Sequence, residues 1–453
     1  MITTDVIRPY KDEMLEKLAR IVKYDSSRKS AVGDMPFGEE NAACLAEALK
    51  IAKEMGFDTV NMENFCGYAE IGEGEEIIGI AGHLDIVPAG KGWDSDPFTL
   101  TEKNGRVYGR GVSDDKGACI ASLYALRFIK ESGIKLNKRI RVIFGCNEES
   151  GSECMKHYVK YGERISVGFT PDGNFPGIHG EKGMCAMRAY SKNTKMISMN
   201  GGFVTNAVCD RCETVVRSSD VDRNELEKAL SASPLVSFTV TEKDDTLVIS
   251  AIGVSAHAAH PLSGVNAAGC TMIALKAAGM KDDFVDFYLD RIGISCDGIG
   301  IGLKCSDDYG VLTLNNGIVK TEDGRICCTI DIRFPVTMAG EELKNRCAAF
   351  MEDERGRIEL NSITESLFYP VDSPLVKSLY DAYVCVTGDD KIKPEVMGGG
   401  TYAKSIPGII AFGCKFPNTP DNHIHDANES LDIEELLLQT AIYVKAIENL
   451  LAV

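Results

Sequence analysis

The chain has 453 residues, and 49 Lys and Arg against 67 Asp and Glu give a formal net charge of −18, which argues against nucleic acid and anionic membranes as partners. It is long for one core, so two domains are expected. No uncharged apolar run reaches the roughly 18 residues that span a bilayer. The first residues, MITTDVIRPYKDEM, carry early acidic groups and no apolar core, so no secretory signal is expected there. A cytoplasmic location follows, and the 16 scattered cysteines are expected to stay reduced and pack as small apolar side chains.

Residues Pro9–Lys23 and Gly38–Met55 space Leu15, Leu18 and Ile21, then Ala42, Leu45 and Leu49, as amphipathic helices do. Strands are expected at Thr59–Met62 and Cys66–Ile71. A buried strand, EIIGIAG over Glu76–Gly82, then runs into His83-Leu-Asp85. Alternation along an extended chain puts His83 and Asp85 on one side, where the carboxylate can hold the imidazole in one tautomer. A hydrogen-bonded histidine at a strand end is the plainer alternative. A Gly/Pro loop, Val87–Trp93, leads to a hairpin turning at Lys103-Asn-Gly105. Gly109-Arg-Gly-Val-Ser-Asp114-Asp115-Lys116-Gly117 opens a helix over Ala118–Glu131. Capping accounts for one of these aspartates, not for both with a lysine between glycines.

Lys138–Phe144, KRIRVIF, is a strand pattern that ends in Gly145-Cys-Asn-Glu148-Glu149-Ser-Gly-Ser152. Adjacent glutamates repel unless a cation neutralises them, although a solvated pair at a helix start would also satisfy the pattern. A helix at Glu153–Tyr161 and a strand at Ile165–Thr170 follow, and the strand ends at Pro171-Asp172. Alternating strands and helices imply a largely parallel sheet, whose carboxyl edge can gather these residues.

From Met184 to Tyr369 strands dominate: Ser237–Glu242, Thr246–Ile252, Val311–Asn315 and Arg325–Arg333, with helices at Arg223–Leu230 and Val265–Gly279. The α/β pattern resumes after Ser373 with a helix at Leu375–Val386, the loop Met397-Gly-Gly-Gly400-Thr401-Tyr402 and a strand at Ile409–Cys414. His423-Ile-His425-Asp-Ala-Asn-Glu429 and a final helix, Asp432–Leu450, complete it. The expected class is α/β: a discontinuous domain with a mainly parallel sheet over 1–184 and 371–453, and an inserted α+β domain over 185–370. The glycines before Thr401 would let backbone groups near Gly400 and Thr401 approach a ligand.

His83, Asp114, Glu149, Asp172 and His425 form a nitrogen and oxygen donor set without thiolate. Two imidazoles and three carboxylates suit two borderline divalent ions that share one carboxylate. Two ions about 3.5–4 Å apart can activate a water and polarise a carbonyl. Glu148 is left over beside them as a general base.

Taken together, Gly82-His83-Leu-Asp85-Ile-Val-Pro88, the Gly109–Gly117 segment, Asn147–Ser152, Thr170-Pro-Asp172-Gly173, Gly399-Gly-Thr401-Tyr402 and His425–Glu429 resemble the M20 metallopeptidases, specifically the dipeptidase V and Xaa-His dipeptidase branch. The resemblance covers nearly the whole chain. It implies a di-zinc peptidase-like catalytic domain, with the insertion as its lid. By this likeness His83 and Asp172 hold one ion, Glu149 and His425 the other, and Asp114 bridges them ahead of a cis Asp114–Asp115 bond. Asp85 orients His83, and Glu148 passes a proton from the activated water to the leaving amine. His257 matches the lid histidine that stabilises the oxyanion, Arg333 the arginine for the substrate's terminal carboxylate, and Asn206 a lid asparagine of the same pocket. The chain departs from the family where Ala258-Ala-His260 follows His257, which makes His260 a rival, and where Ala403-Lys404 stands for Gly-Arg. His423 fits the motif less well than His425.

The implied activity is a dipeptidase working on short peptides with two divalent ions, Zn²⁺ first and Mn²⁺ or Co²⁺ as alternatives. An M20-type amidase or deacylase, such as one taking N-acyl amino acids or a desuccinylase substrate, is the rival reading. A non-catalytic metal- or peptide-binding protein is the third, disfavoured by an uncoordinated Glu148. The long lid favours a monomer over a lid-mediated homodimer.

Overall fold

A computed structural model describes residues 3–453; residues 1 and 2 of the expected first domain lie outside the described residues. The chain forms two compact units. One comprises the described residues up to Gly180 together with Tyr369–Val453, and the other comprises Glu181–Phe368.

The first unit is built on a sheet with the strand order Asp58–Met62, Cys66–Ile71, Arg139–Gly145, Ile77–His83, Val167–Thr170, Ile409–Ala411, Ile178–Glu181. The four central strands are parallel, and those on both flanks are antiparallel. The sheet is therefore mixed, with the expected parallel strands at its centre and antiparallel strands added at its flanks. The cause is local on one side. Glu63 and Asn64 both take positive φ, which folds Cys66–Ile71 straight back on its predecessor instead of through a crossover helix.

Ile77–His83 is buried along its whole length, as a strand covered on both faces must be. Each of Ile77, Ile78 and Ile80, all fully buried, contributes about 1.5–3 kcal/mol. The helices Lys116–Glu131 and Ile433–Leu450 pack on one another. Asp432, expected as the first residue of the last helix, is its cap, accepting from Glu434 N–H at 2.8 Å.

The second unit is an antiparallel sheet ordered Ser237–Lys243, Thr246–Ile252, Arg211–Arg217, Ser198–Gly201, Thr313–Glu322, Arg325–Phe334, Gly183–Ser191, Gly356–Thr364. Its strands alternate buried and exposed positions, as in Arg211–Arg217, so one face meets a core containing Met272, Leu275, Phe284 and Tyr288. The helix Asp283–Arg291 was not anticipated. Asp282 caps it, accepting from Phe284 and Val285 N–H at 2.9 Å each. The cysteines are free thiols, most of them buried. Cys209 and Cys212, spaced as C-x-x-C, are among them, and burial pushes the Cys209 thiol up to about 12.

Candidate active site

Parallel pairing aligns the carboxyl ends of the central strands, with His83 directly opposite Gly145. Leu84 N–H donates to Gly145 O at 2.9 Å, which locks the two strand ends together. His83, only 1% exposed, has its Nδ1 3.0 Å from the Asp85 carbonyl. That leaves Nε2 facing carboxylates: Asp114 Oδ1 at 2.9 Å and Asp172 Oδ2 at 3.9 Å. His425, an exposed side chain, places Nε2 3.1 Å from both Asp114 Oδ2 and Glu149 Oε1. Two groups of potential ligand atoms converge here among the described residues, His83 with Asp114 and Glu149, and His83 with Glu148 and Asp172.

The Asp85 carboxylate, expected to orient His83, stands beside its ring and also meets a second set of donors. The Asp85 carbonyl makes the closer contact with His83 Nδ1, at 3.0 Å, and Oδ1 lies 3.5 Å from the same nitrogen. The carboxylate oxygens accept from the backbone N–H groups of Glu148 at 2.9 Å and Glu149 at 3.1 Å. Asp85 thus tethers the two-glutamate turn to the His83 strand. The turn is also held by Asn147, which accepts from Glu153 N–H at 3.0 Å and donates to Ser150 Oγ at 2.6 Å. It starts at a glycine because a Cβ on Gly145 would sit 2.0 Å from the Tyr402 hydroxyl. That hydroxyl also lies 3.0 Å from Cys154 Sγ.

The Asp114–Asp115 peptide bond is cis. Asp115 is fully buried and accepts His83 N–H at 3.0 Å. No role for Glu429 or Arg110 was legible from residue type and spacing, although both lie in the motifs singled out above. The Glu429 carboxylate accepts from Arg110 Nη1 at 2.8 Å, from Gly111 and Ser113 N–H at 2.9 Å each, and from Asp114 N–H at 3.1 Å.

Burial disfavours charge throughout this cluster. It opposes the His83 imidazolium, but Asp114 and Asp85 outweigh it and raise the pKa well above the usual histidine range. Hydrogen bonds to Asp114 and Glu149 raise His425 to about 10. Burial is overcome at Asp114 by the two histidines, which hold its carboxyl down. Glu148 goes the other way, raised well above the carboxylate range by burial and then by the neighbouring Asp172. Burial also raises Glu149.

The donor set is imidazole nitrogen and carboxylate oxygen, with His83 Nε2 aimed into it and carboxylates crowded against one another. This chemistry fits divalent cations of the zinc and manganese type. His423 is exposed, accepts Asp426 N–H through its carbonyl, and belongs to neither converging group.

Thr401 is buried and caps a short turn by accepting Ala403 N–H at 3.1 Å, while Gly400 is exposed beside it. In the second unit, Asn206 O accepts Ala258 N–H at 2.8 Å, and Ala207 bridges His257. Asn315 Nδ2 donates to Ala207 O at 2.9 Å, and Thr313 Oγ1 to Ala258 O at 3.1 Å. Thr313 is the cross-strand partner of Arg333, so antiparallel register links the segments of Asn206, His257 and Arg333. Arg333 is 6% exposed, and Asp331 takes its Nε at 2.7 Å and Nη2 at 2.9 Å. His260 follows on the same loop and is exposed.

The model of peptidase family M20/M25/M40 matches residues 79–449. YtjP of Bacillus subtilis (strain 168) is 34% identical over 467 residues, 98% of each chain. The Beta-Ala-Xaa dipeptidase of Lactobacillus delbrueckii subsp. lactis is 31% identical over 464 residues, 97% of this chain and 96% of that protein. The crystal structure of human carnosine dipeptidase 1 is similar in fold, with a TM-score of 0.58 at 15% identity over 99% of this chain and 98% of that chain.

Proposed function

The chain belongs to peptidase family M20/M25/M40, and on that premise we propose that it is a metal-dependent dipeptidase that hydrolyses the peptide bond of short peptides. The observation that carries this reading is the convergence of His83, Asp114, Glu149 and, in a second group, Glu148 and Asp172 at the carboxyl edge of the sheet. The 31% identity to a Beta-Ala-Xaa dipeptidase supports the substrate class.

His83, Asp114, Glu149, Asp172 and His425 would hold two divalent ions, zinc first, with manganese or cobalt as alternatives. Bound ions supply Lewis acidity, polarising a carbonyl and lowering the pKa of water. The chain's own residues do the rest. Asp85 fixes the backbone of Glu148, so its carboxylate is presented at a set place to take a proton from the attacking water. Glu148 then gives that proton to the leaving amine. His257 stabilises the developing oxyanion. Arg333, oriented by Asp331, receives the substrate's terminal carboxylate. Asn206 and the backbone at Gly400 and Thr401 complete substrate binding.

The test is hydrolysis of a dipeptide panel against tripeptides and N-acyl amino acids, using metal-stripped protein restored with Zn²⁺ or Mn²⁺. Cleavage of dipeptides alone supports the reading. Cleavage of N-acyl amino acids in preference to dipeptides replaces it with a deacylase.

A further inference from the structure

We propose that Glu429 is a positioning residue that sets Asp114 and His425 in register as a pair of metal ligands, an inference that rests on the reading of those two residues as ligands. One carboxylate serves four donors of a single loop: Arg110 Nη1, and the backbone N–H groups of Gly111, Ser113 and Asp114, between 2.8 and 3.1 Å. The Glu429 carbonyl adds a fifth bond, accepting from Gly109 N–H at 3.1 Å. The loop that ends in Asp114 is therefore fastened, almost residue by residue, to a side chain four positions beyond His425.

That spacing matters because His425 is not held by burial; its side chain is 52% exposed, while Glu429 is 1% exposed. The segment is pinned from its buried end. Ser430 N–H donates to Asn422 O at 2.9 Å, and Asn428 Oδ1 accepts Asp94 N–H at 2.9 Å. Arg110 extends the fastening to the loop after Asp85. Its Nη2 reaches Ala89 O at 3.3 Å, and its guanidinium lies 5.2 Å from the Trp93 ring centre. Three segments bearing the converging side chains thus meet at one buried ion pair.

Stability alone does not call for such a pair, because apolar residues of similar volume commonly serve as well or better in its place. What an apolar pair cannot supply is an acceptor for three consecutive-loop N–H groups, and those bonds fix the direction in which Asp114 leaves the backbone.

The experiment compares Glu429→Gln, Glu429→Asp and the double variant Arg110→Met/Glu429→Gln with the unaltered protein. Metal-stripped protein is titrated with Zn²⁺ and with Mn²⁺ in competition with a chromogenic chelator, and thermal unfolding is followed in parallel. Glu429→Gln turns an amide N–H₂ toward donors, so affinity for at least one ion should fall about 10–100-fold. The double variant removes the stranded buried charge and should regain unfolding temperature relative to Glu429→Gln while its metal affinity stays low. Metal affinity of unaltered strength in any folded variant overturns the proposal, whatever its unfolding temperature. Failure of the unaltered protein to bind two ions would instead remove the reading on which it rests.

Discussion

The Asp85 side chain accepts the backbone N–H of Glu148 at 2.9 Å and of Glu149 at 3.1 Å, so one carboxylate orients two others. Two half-buried, mutually repelling glutamates need such a tether, since nothing in their own charges holds them together. Asp85→Asn keeps one acceptor and turns an N–H₂ toward the second N–H group. Activity should fall about 10–100-fold, with a smaller loss for Zn²⁺ affinity than in Glu149→Ala. Steady-state kinetics on a cleaved dipeptide, with chelator titration alongside, measure both.

Glu148→Ala should retain two ions per chain by elemental analysis and lose turnover by about 10²–10⁴-fold, the usual contribution of a positioned base. Glu148 also belongs to the converging group with His83 and Asp172. Loss of an ion together with turnover would reassign it from base to ligand.

Metal binding should release protons, and affinity should rise with pH. His425, held to about 10 by Asp114 and Glu149, is charged at neutral pH in the metal-free protein and must lose its proton to ligate. Raised pKa values at His83 and Glu148 act in the same direction. Proton release on titrating Zn²⁺ into weakly buffered protein checks this, and proton uptake would contradict it.

Arg333 makes two bonds to Asp331 and lies across from Thr313, a geometry that fixes the plane of its guanidinium. Arg333→Lys keeps the charge and loses the fork. KM for a dipeptide should rise about tenfold or more, in line with the strength of hydrogen bonds to charged groups, with kcat changed less. Asp331→Asn should raise KM by a smaller factor. An unchanged KM in Arg333→Lys would remove this arginine from carboxylate recognition.

Away from the site, Arg139 and then Arg141 hold Glu163 down to about 2 against a free value of 4.5. Its contacts are 2.6 Å to Arg139 and 2.7 Å to Arg141. A depressed folded pKa means this stabilisation is present above about pH 4.5 and is lost as pH falls toward 2. Glu163→Gln should therefore lower Tm at neutral pH and flatten its decline between those limits. The effect should be modest, because the side chain is 53% exposed.

Apolar periodicity and punctuation in the chain set much of the architecture. EIIGIAG specified a strand covered on both faces, and Lys11–Val22, Glu39–Glu54 and Ile433–Leu450 are helices where the apolar spacing put them. The candidate ligands were legible because chemistry at a parallel sheet concentrates at strand ends, where the chain itself marks the place with His-x-Asp, Glu-Glu and Pro-Asp. The antiparallel flanks were not legible. One of them depends on a turn with two positive-φ residues, Glu63 and Asn64, that lacks the Asn-Gly or Asp-Gly signature.

The hydrogen-bond partners of Asp85 and Glu429 were decided by tertiary structure alone. A sequence states that a carboxylate is near a histidine or a ligand in the chain. Only the fold states which donors it meets, and those of Asp85 lie 63 and 64 residues away, while those of Glu429 lie 315 to 319 residues away. Residue type and local spacing fix what a group can bond to. Long-range packing, which no local pattern encodes, fixes which partner it finds.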